Sequence, residues 1–158
     1  MKPRISVIGI GNILMSDEGV GVRVVERLKE ILKDENVEIF DGGNMNFQLL
    51  EFVEGRDAVI FVDAVDFQGE PGDVKFFRLE EVKGPEFFSI HDLDYTKVIA
   101  LAKTCGIEVP EKMFVVGIKP KKVSEGLDLS PEVQGAVDKA AERVTELVKE
   151  IVKEIRSG

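Results

Sequence analysis

Residues 8 to 22 read IGIGNILMSDEGVGV, and this stretch joins an apolar run to a helical pattern of valines and leucines. The apolar run covers residues 5–10, and the helical pattern starts at Val20 and repeats at three- and four-residue spacing. A glycine-rich turn between a strand and a helix lies at the carboxyl end of the strand, where α/β proteins bind their ligands. The stretch therefore predicts an α/β fold with a functional loop after its first strand.

The loop does not fit a dinucleotide-binding fingerprint. That fingerprint needs a third glycine at the position where this chain has Leu14. Asp17 and Glu18 stand near the start of the predicted helix, where their charges would repel a pyrophosphate. We therefore expect the loop to bind something other than a phosphate, and we expect no organic cofactor.

The two carboxylates of the loop have two interpretations. Ser16 could be the N-cap of the helix, with Asp17 and Glu18 stabilising the helix dipole from the first turn. Gly19 and Gly21 weaken that interpretation, because each glycine costs a helix about 1 kcal/mol relative to alanine. Glycines at these positions predict a close backbone approach, either to a neighbouring strand or to a ligand.

Length and composition predict one domain that covers residues 1–158. A chain of 158 residues with 44% apolar content can bury one core and is short for two. No apolar run approaches the roughly 18 residues of a membrane span, and the N-terminus shows no signal-type segment, so we expect a cytoplasmic protein without membrane contact. The net charge of −9 argues against nucleic acid as a partner.

Cysteine usage and charge composition add two further expectations. The single cysteine, Cys105, excludes an internal disulfide and a multi-cysteine zinc site, and we expect it to be packed in the interior. A composition rich in Glu and Lys and free of Trp is typical of proteins from thermophiles.

Strand and helix patterns alternate along the chain. They predict an α/β fold: a single three-layer domain with a twisted, mainly parallel sheet and helices on both faces. The predicted strands cover residues 4–10, 37–41, 58–62, 73–79 (an edge strand) and 113–118. Four helices are predicted. The first ends near residue 33, the second covers residues 47–53, the third includes residues 98–102, and the last starts at Ser130-Pro131.

The carboxyl edge of this sheet should collect several polar groups. We expect the loop with Glu18, the run 41–44, Asp63 and Asp66, and the loop with His91, the only histidine, to meet there. Carboxylates and one imidazole suit nickel, zinc, manganese or iron with open coordination positions. A solvated His91 and an Asp63 that caps a turn are the plainer alternatives, and the absence of a G-x-S-x-G motif disfavours a serine hydrolase.

Five segments, taken in order, resemble the hydrogenase maturation endopeptidases. They are GIGNILMSDEGVG at residues 9–21, Asp41-Gly42-Gly43, the strand that ends in Asp63-Ala64, Ser89-Ile90-His91, and VVGIKP at residues 115–120. The resemblance implies an endopeptidase that removes a short C-terminal extension from the precursor of a nickel-iron hydrogenase large subunit after nickel has been inserted.

The resemblance also implies a set of site residues. Glu18, Asp63 and His91 correspond to the residues that bind the metal and act in catalysis in that family, and the nickel belongs to the substrate precursor. The resemblance also implies that the substrate is bound by Asp41, Gly42, Gly43 and Asn44. The chain departs from the family at Asn44, where threonine is common, and at Ile90, where proline is common.

The sequence leaves the mechanism open. A metal held by the three residues could polarise the scissile carbonyl or activate a water, with Glu18 or Asp63 moving the proton. Two of the carboxylates Glu18, Asp63 and Asp66 could instead form a metal-free aspartic-protease dyad. A small α/β module that binds a cation or nucleotide without peptidase activity is the alternative function. We expect Glu18, Asp63 and His91 to converge on one exposed site formed by solvent-facing loops.

Overall fold

A mainly parallel sheet organises the protein. The computed structural model describes residues 2–43, 47–83, 88–89 and 95–158. In this part of the chain the strands are β1 (Ile5–Ile10), β2 (Val37–Gly43), β3 (Ala58–Asp66), β4 (Val74–Arg78), β5 (Phe88–Ser89) and β6 (Lys112–Ile118). The helices are α1 (Val20–Ile31), α2 (Tyr95–Thr104), α3 (Pro131–Gln134) and α4 (Val137–Ser157), with 3-10 helices at Ser16–Gly19, Phe47–Phe52 and Leu79–Lys83.

The strand order is β2-β1-β3-β6-β4. The first four of these strands are parallel, β4 pairs antiparallel with β6 at the edge, and the short β5 pairs antiparallel with the end of β3. The four parallel strands therefore direct their carboxyl ends to one edge of the sheet, as predicted, and β4 is the predicted edge strand.

Hydrophobic residues cover both faces of the sheet. On one face α1 and α4 pack against the even-numbered residues of β3, and on the other face α2 and Phe47–Phe52 pack against its odd-numbered residues. Residues 58–65 of β3 are fully buried as a result, as expected of a central parallel strand. The predicted fold class is confirmed. No helix in the described part of the chain is long and apolar enough to cross a membrane.

Two strands extend further than their sequence patterns predict. β2 does not end at Asp41 but continues through Gly42 and Gly43, because Gly42 is the extra residue of a bulge: Gly9 pairs with Asp41, and Ile10 pairs with Gly43. β3 continues through Asp66, so Asp63 lies inside a strand.

The predicted helix start at Ser130-Pro131 is confirmed, with Ser130 at the N-cap position and Pro131 in the first turn, although the Ser130 side chain makes no cap bond. The predicted final helix is divided into α3 and α4. Of the two interpretations of the loop, the one with Ser16 as the N-cap of α1 does not hold, because Ser16 belongs to the 3-10 helix and the N-cap is Gly19. The prediction that Cys105 is packed in the interior was wrong: the residue is exposed, because it lies just after the end of α2.

Candidate active site

The segment between β1 and α1 forms a tight 3-10 turn, Ser16–Gly19, which we call the motif turn. Ser16 starts the turn with a φ of 52°, a left-handed conformation that residues other than glycine rarely adopt. The surrounding structure must hold such a residue in place, and strained residues of this kind cluster at functional sites.

Asp17 anchors the motif turn from inside. Its side chain is fully buried and accepts hydrogen bonds from the backbone N–H groups of Lys121, Lys122 and Ser130 at 2.7 to 2.9 Å. The Ser130 hydroxyl donates a further bond at 2.8 Å. Burial raises the pKa of Asp17, but the hydrogen bonds from Ser130, Lys122 and Lys121 outweigh it and lower the pKa below its ordinary value of 3.8.

Backbone hydrogen bonds complete this attachment. The N–H of Ser16 donates to the carbonyl of Gly126 at 2.8 Å, and the N–H of Gly126 donates to Leu14 at 2.9 Å. The N–H of Asp17 donates to the carbonyl of Lys122 at 3.1 Å. The segment 121–130 is thus bonded to the motif turn on several sides, and Asp17 is a structural residue rather than a member of the site.

The glycines after Asp17 let α1 approach the sheet closely. A Cβ atom on Gly21 would collide with the carbonyl oxygen of Val62 and would lie 2.5 Å from that of Ile10. A Cβ atom on Gly19 would lie 2.7 Å from the Cα of Ile13. The predicted close backbone approach is confirmed, and at Gly21 the neighbours are β1 and β3.

Glu18 occupies a different environment from Asp17. The motif turn contacts β3, and Glu18 is partly exposed while Asp17 is buried. Glu18 is thus the acid of the pair that reaches solvent, whereas both carboxylate oxygens of Asp17 are occupied by hydrogen bonds.

Asp63 lies on β3 next to Tyr95, the first residue of α2. The Asp63 side chain is fully buried, in register with Gly117 of β6. The Tyr95 hydroxyl donates a hydrogen bond to Asp63 Oδ2 at 2.9 Å. The Tyr95 ring is also fully buried and stacks on Phe61, with 4.5 Å between ring centroids. The expectation of an exposed Asp63 in a solvent-facing loop was wrong, because β3 carries it below the surface.

Asp66 is not paired with Asp63. Lys119 Nζ donates to Asp66 Oδ1 at 2.8 Å and to the carbonyl of Phe67 at 2.5 Å. Residues 63 and 66 of one strand point to opposite faces of the sheet. Strand geometry therefore excludes an Asp63–Asp66 dyad, while a Glu18–Asp63 pair stays open.

The end of β2 brings the run 41–43 beside the glycine-rich loop. The N–H of Gly11 donates to the carbonyl of Gly43 at 3.4 Å. Gly42 is buried and approaches the carbonyl of Gly9, which a Cβ atom would meet at 2.8 Å. Asp41 is exposed, and Asn44 lies outside the described residues.

His91 also lies outside the described residues, so the predicted three-residue site is described only at Glu18 and Asp63. Among the residues that the structure describes, no group of three His, Cys, Asp or Glu side chains is placed to hold a metal ion.

Sequence reasoning missed Tyr95 and Ser130. Tyr95 is the only tyrosine of the chain, but its link to Asp63 spans 32 positions and has no local pattern. Ser130 looks like a helix cap because Pro131 follows it, and its bond to Asp17 crosses 113 positions.

Comparisons with known proteins show the family to which the chain belongs. The family model for hydrogenase maturation proteases matches residues 22–147. The hydrogenase expression/formation protein HupD of Rhodobacter capsulatus is 41% identical over 145 residues, which cover 88% of this chain and 69% of HupD. The hydrogenase 2 maturation protease of Escherichia coli is 39% identical over 144 residues, which cover 87% of this chain and 85% of that protein.

The fold matches as well. The structure of the hydrogenase maturating endopeptidase HybD from Escherichia coli superimposes with a TM-score of 0.82 at 35% identity, and the match covers 93% of each chain. These matches favour a peptidase over a binding module without peptidase activity. The chain belongs to the hydrogenase maturation proteases and is a peptidase of the hydrolase class.

Proposed function

We propose that this protein removes the C-terminal extension from a nickel-loaded precursor of a nickel-iron hydrogenase large subunit. Family membership supports the reaction class. The observation that carries the site is that Glu18, on the motif turn, and Asp63, on β3, come from two elements in contact at the carboxyl edge of the sheet.

We propose that Glu18, Asp63 and His91 meet the nickel that the precursor carries. Two carboxylates and an imidazole are ligands that a divalent nickel ion accepts. The chain then has no need of a metal of its own, because the metal arrives with the substrate. The end of β2, with Gly43, lies beside the same loop, and we propose that Asp41, Gly42, Gly43 and Asn44 bind the substrate backbone.

The two described carboxylates are suited to different tasks. Asp63 is held in one orientation by the Tyr95 hydroxyl, so it serves as a fixed ligand. Glu18 is partly exposed and can accept the proton of the attacking water and pass it to the leaving amine as the C–N bond breaks. Nickel on the precursor supplies Lewis acidity at the scissile carbonyl.

The test of this function is cleavage of matched precursors. Purified protein is incubated with a nickel-loaded large-subunit precursor, with the same precursor lacking nickel, and with casein. The masses of the products are then determined by mass spectrometry. We expect loss of the C-terminal peptide from the nickel-loaded precursor alone. Equal cleavage of the loaded and nickel-free precursors would contradict gating by nickel.

Variants assign the residues. Asp63→Asn, Glu18→Gln and His91→Ala should each lower kcat by at least about 100-fold, the usual contribution of a positioned proton acceptor or metal ligand. Asp138→Asn is the matched control, since Asp138 pairs with Arg27 on the surface between α1 and α4. Full activity of any one of the three site variants would remove that residue from the site.

A further inference from the structure

The buried side chain of Tyr95 contacts Asp63, one of the proposed metal ligands. Tyr95 and Asp63 are both fully buried, and their side chains are joined by a hydrogen bond of 2.9 Å. A buried tyrosine hydroxyl needs a polar partner, and a buried carboxylate needs a donor. Each of the two groups meets the requirement of the other.

The ring of Tyr95 is fixed independently of its hydroxyl. It stacks on Phe61 at an interplanar angle of 23°. Phe61 and Asp63 are two positions apart on β3 and therefore point to the same face. Tyr95 thus lies along β3, with its ring against Phe61 and its hydroxyl at Asp63, the next residue on that face.

We infer that Tyr95 is a positioning residue, which fixes the orientation of the Asp63 carboxylate for the nickel-bearing precursor. The hydroxyl binds Oδ2 and so restricts rotation of the carboxylate plane. Tyr95 starts α2, so the bond also connects α2 to the strand that carries the ligand. This inference rests on the proposed function of Asp63.

The main test is Tyr95→Phe, which deletes the hydroxyl and keeps the stacked ring. Groups that orient a metal ligand typically change activity by about 10- to 100-fold, so we expect kcat to fall by that factor. The KM for the precursor should stay the same, because the Tyr95 hydroxyl bonds Asp63 rather than the substrate. A kcat within about twofold of the wild-type value would overturn the inference.

Two controls separate orientation from stability. Phe61→Leu removes the stacking partner and keeps the hydroxyl, so it should lower the melting temperature more than Tyr95→Phe and lower kcat less. Thr145→Val removes a hydroxyl that bonds the carbonyl of Ala141 on α4 and should leave kcat unchanged. If kcat follows melting temperature across all three variants, Tyr95 has a structural role alone.

Fluorescence tests the contact without activity. The chain has one tyrosine and no tryptophan, so its intrinsic fluorescence comes from Tyr95. A carboxylate that accepts a hydrogen bond from the phenol hydroxyl quenches tyrosine emission. Asp63→Asn should therefore increase the emission, while Asp138→Asn should not. Equal emission from wild type and Asp63→Asn would overturn the contact.

The outcomes also distinguish this inference from the proposed function. Failure of the wild-type protein to cleave the nickel-loaded precursor refutes the proposed function and with it the positioning role, even if fluorescence shows the contact. Active wild type, inactive Asp63→Asn and fully active Tyr95→Phe refute the positioning role alone.

Discussion

Two adjacent acids of the same motif do different work. Asp17 points inward and accepts four hydrogen bonds from a segment more than 100 positions away. Glu18 remains partly exposed beside β3. The difference arises because a 3-10 turn directs successive side chains to different sides, so that one acid holds the turn and the next one is accessible at the proposed site.

Replacement of Asp17 should therefore affect stability first. Asp17→Asn puts an amide group where N–H donors converge, and we expect the free energy of unfolding to fall by about 2 to 3 kcal/mol, the cost of unsatisfied buried donors. Ser130→Ala, which deletes one of the four bonds, should cost about 1 kcal/mol. Urea unfolding of both variants measures these values, and an Asp17→Asn protein as stable as wild type would contradict the anchoring role.

The lowered pKa of Asp17 predicts an acid dependence of stability. A carboxyl whose folded-state pKa lies below its unfolded value of about 3.8 stabilises the fold above that pH and loses the contribution as pH falls through the folded-state pKa. Below pH of about 4 the wild type should therefore lose stability more steeply than Asp17→Asn. Unfolding curves between pH of about 6 and 2 measure this, and parallel curves would contradict it.

At the residue level the sequence predicted which segments carry polar groups but not their surroundings. Local patterns placed Glu18 and Asp63 with other acids at the carboxyl edge of the predicted sheet, and the resemblance to the hydrogenase maturation endopeptidases distinguished these two from the rest. The burial of Asp63 and its bond to Tyr95 could not be predicted, because they depend on how α2 packs against β3. His91 and Asn44 stay predictions.

At the level of elements, the approach of α1 to the sheet determines where the motif turn lies. Gly21 allows the helix backbone to touch the carbonyl groups of Val62 and Ile10. Glycine has a low intrinsic helix propensity. At position 21, however, it allows α1 to approach the sheet closely, which keeps the motif turn near β3.

Gly21→Ala should therefore destabilise the protein although alanine favours helices. The added methyl group must push α1 away from two strands, and overpacking of this kind typically costs about 1 to 3 kcal/mol. Because the displaced helix carries the motif turn with it, kcat should fall as well. Thermal unfolding and precursor cleavage measure the two effects.

Gly135→Ala is the matched control for this substitution. Gly135 has helical dihedral angles, and the atom nearest to an added Cβ lies at 3.4 Å, an ordinary contact. We expect this variant to be as stable as wild type or more stable by up to about 1 kcal/mol, with unchanged activity. Equal losses in both variants would show that crowding at Gly21 is not the cause.

Element types were easier to predict than element ends. Hydrophobic periodicity indicated every parallel strand and the edge strand β4, because each strand buries a continuous or alternating face. The ends of β2 and β3 were missed because backbone pairing, rather than side-chain pattern, extends them: Gly43 pairs with Ile10, and Ala64 pairs with Ile118.

At the scale of the whole molecule, one sheet separates two hydrophobic cores. One core contains α1 and α4, and the other contains α2 and the helix Phe47–Phe52. Both cores share β1, β3 and β6 and therefore depend on the same strand pairing. This sharing predicts that residues 1–158 unfold as one cooperative unit.

Two spectroscopic signals can test that cooperativity. Tyrosine fluorescence reports on the α2 core, since Tyr95 is the only tyrosine, whereas far-UV circular dichroism is dominated by the long helices α1 and α4. The two urea midpoints should coincide. A fluorescence transition that precedes the dichroism transition would show that the α2 core unfolds separately.

The bond between Asp17 and Ser130 also has a consequence for synthesis of the protein. Asp17 leaves the ribosome early, but its partner lies 113 positions later in the chain. The motif turn therefore stays without its anchor until most of the polypeptide has been translated. The anchored form of the turn, and with it the position of Glu18, is therefore reached only after residues 121–130 have emerged from the ribosome.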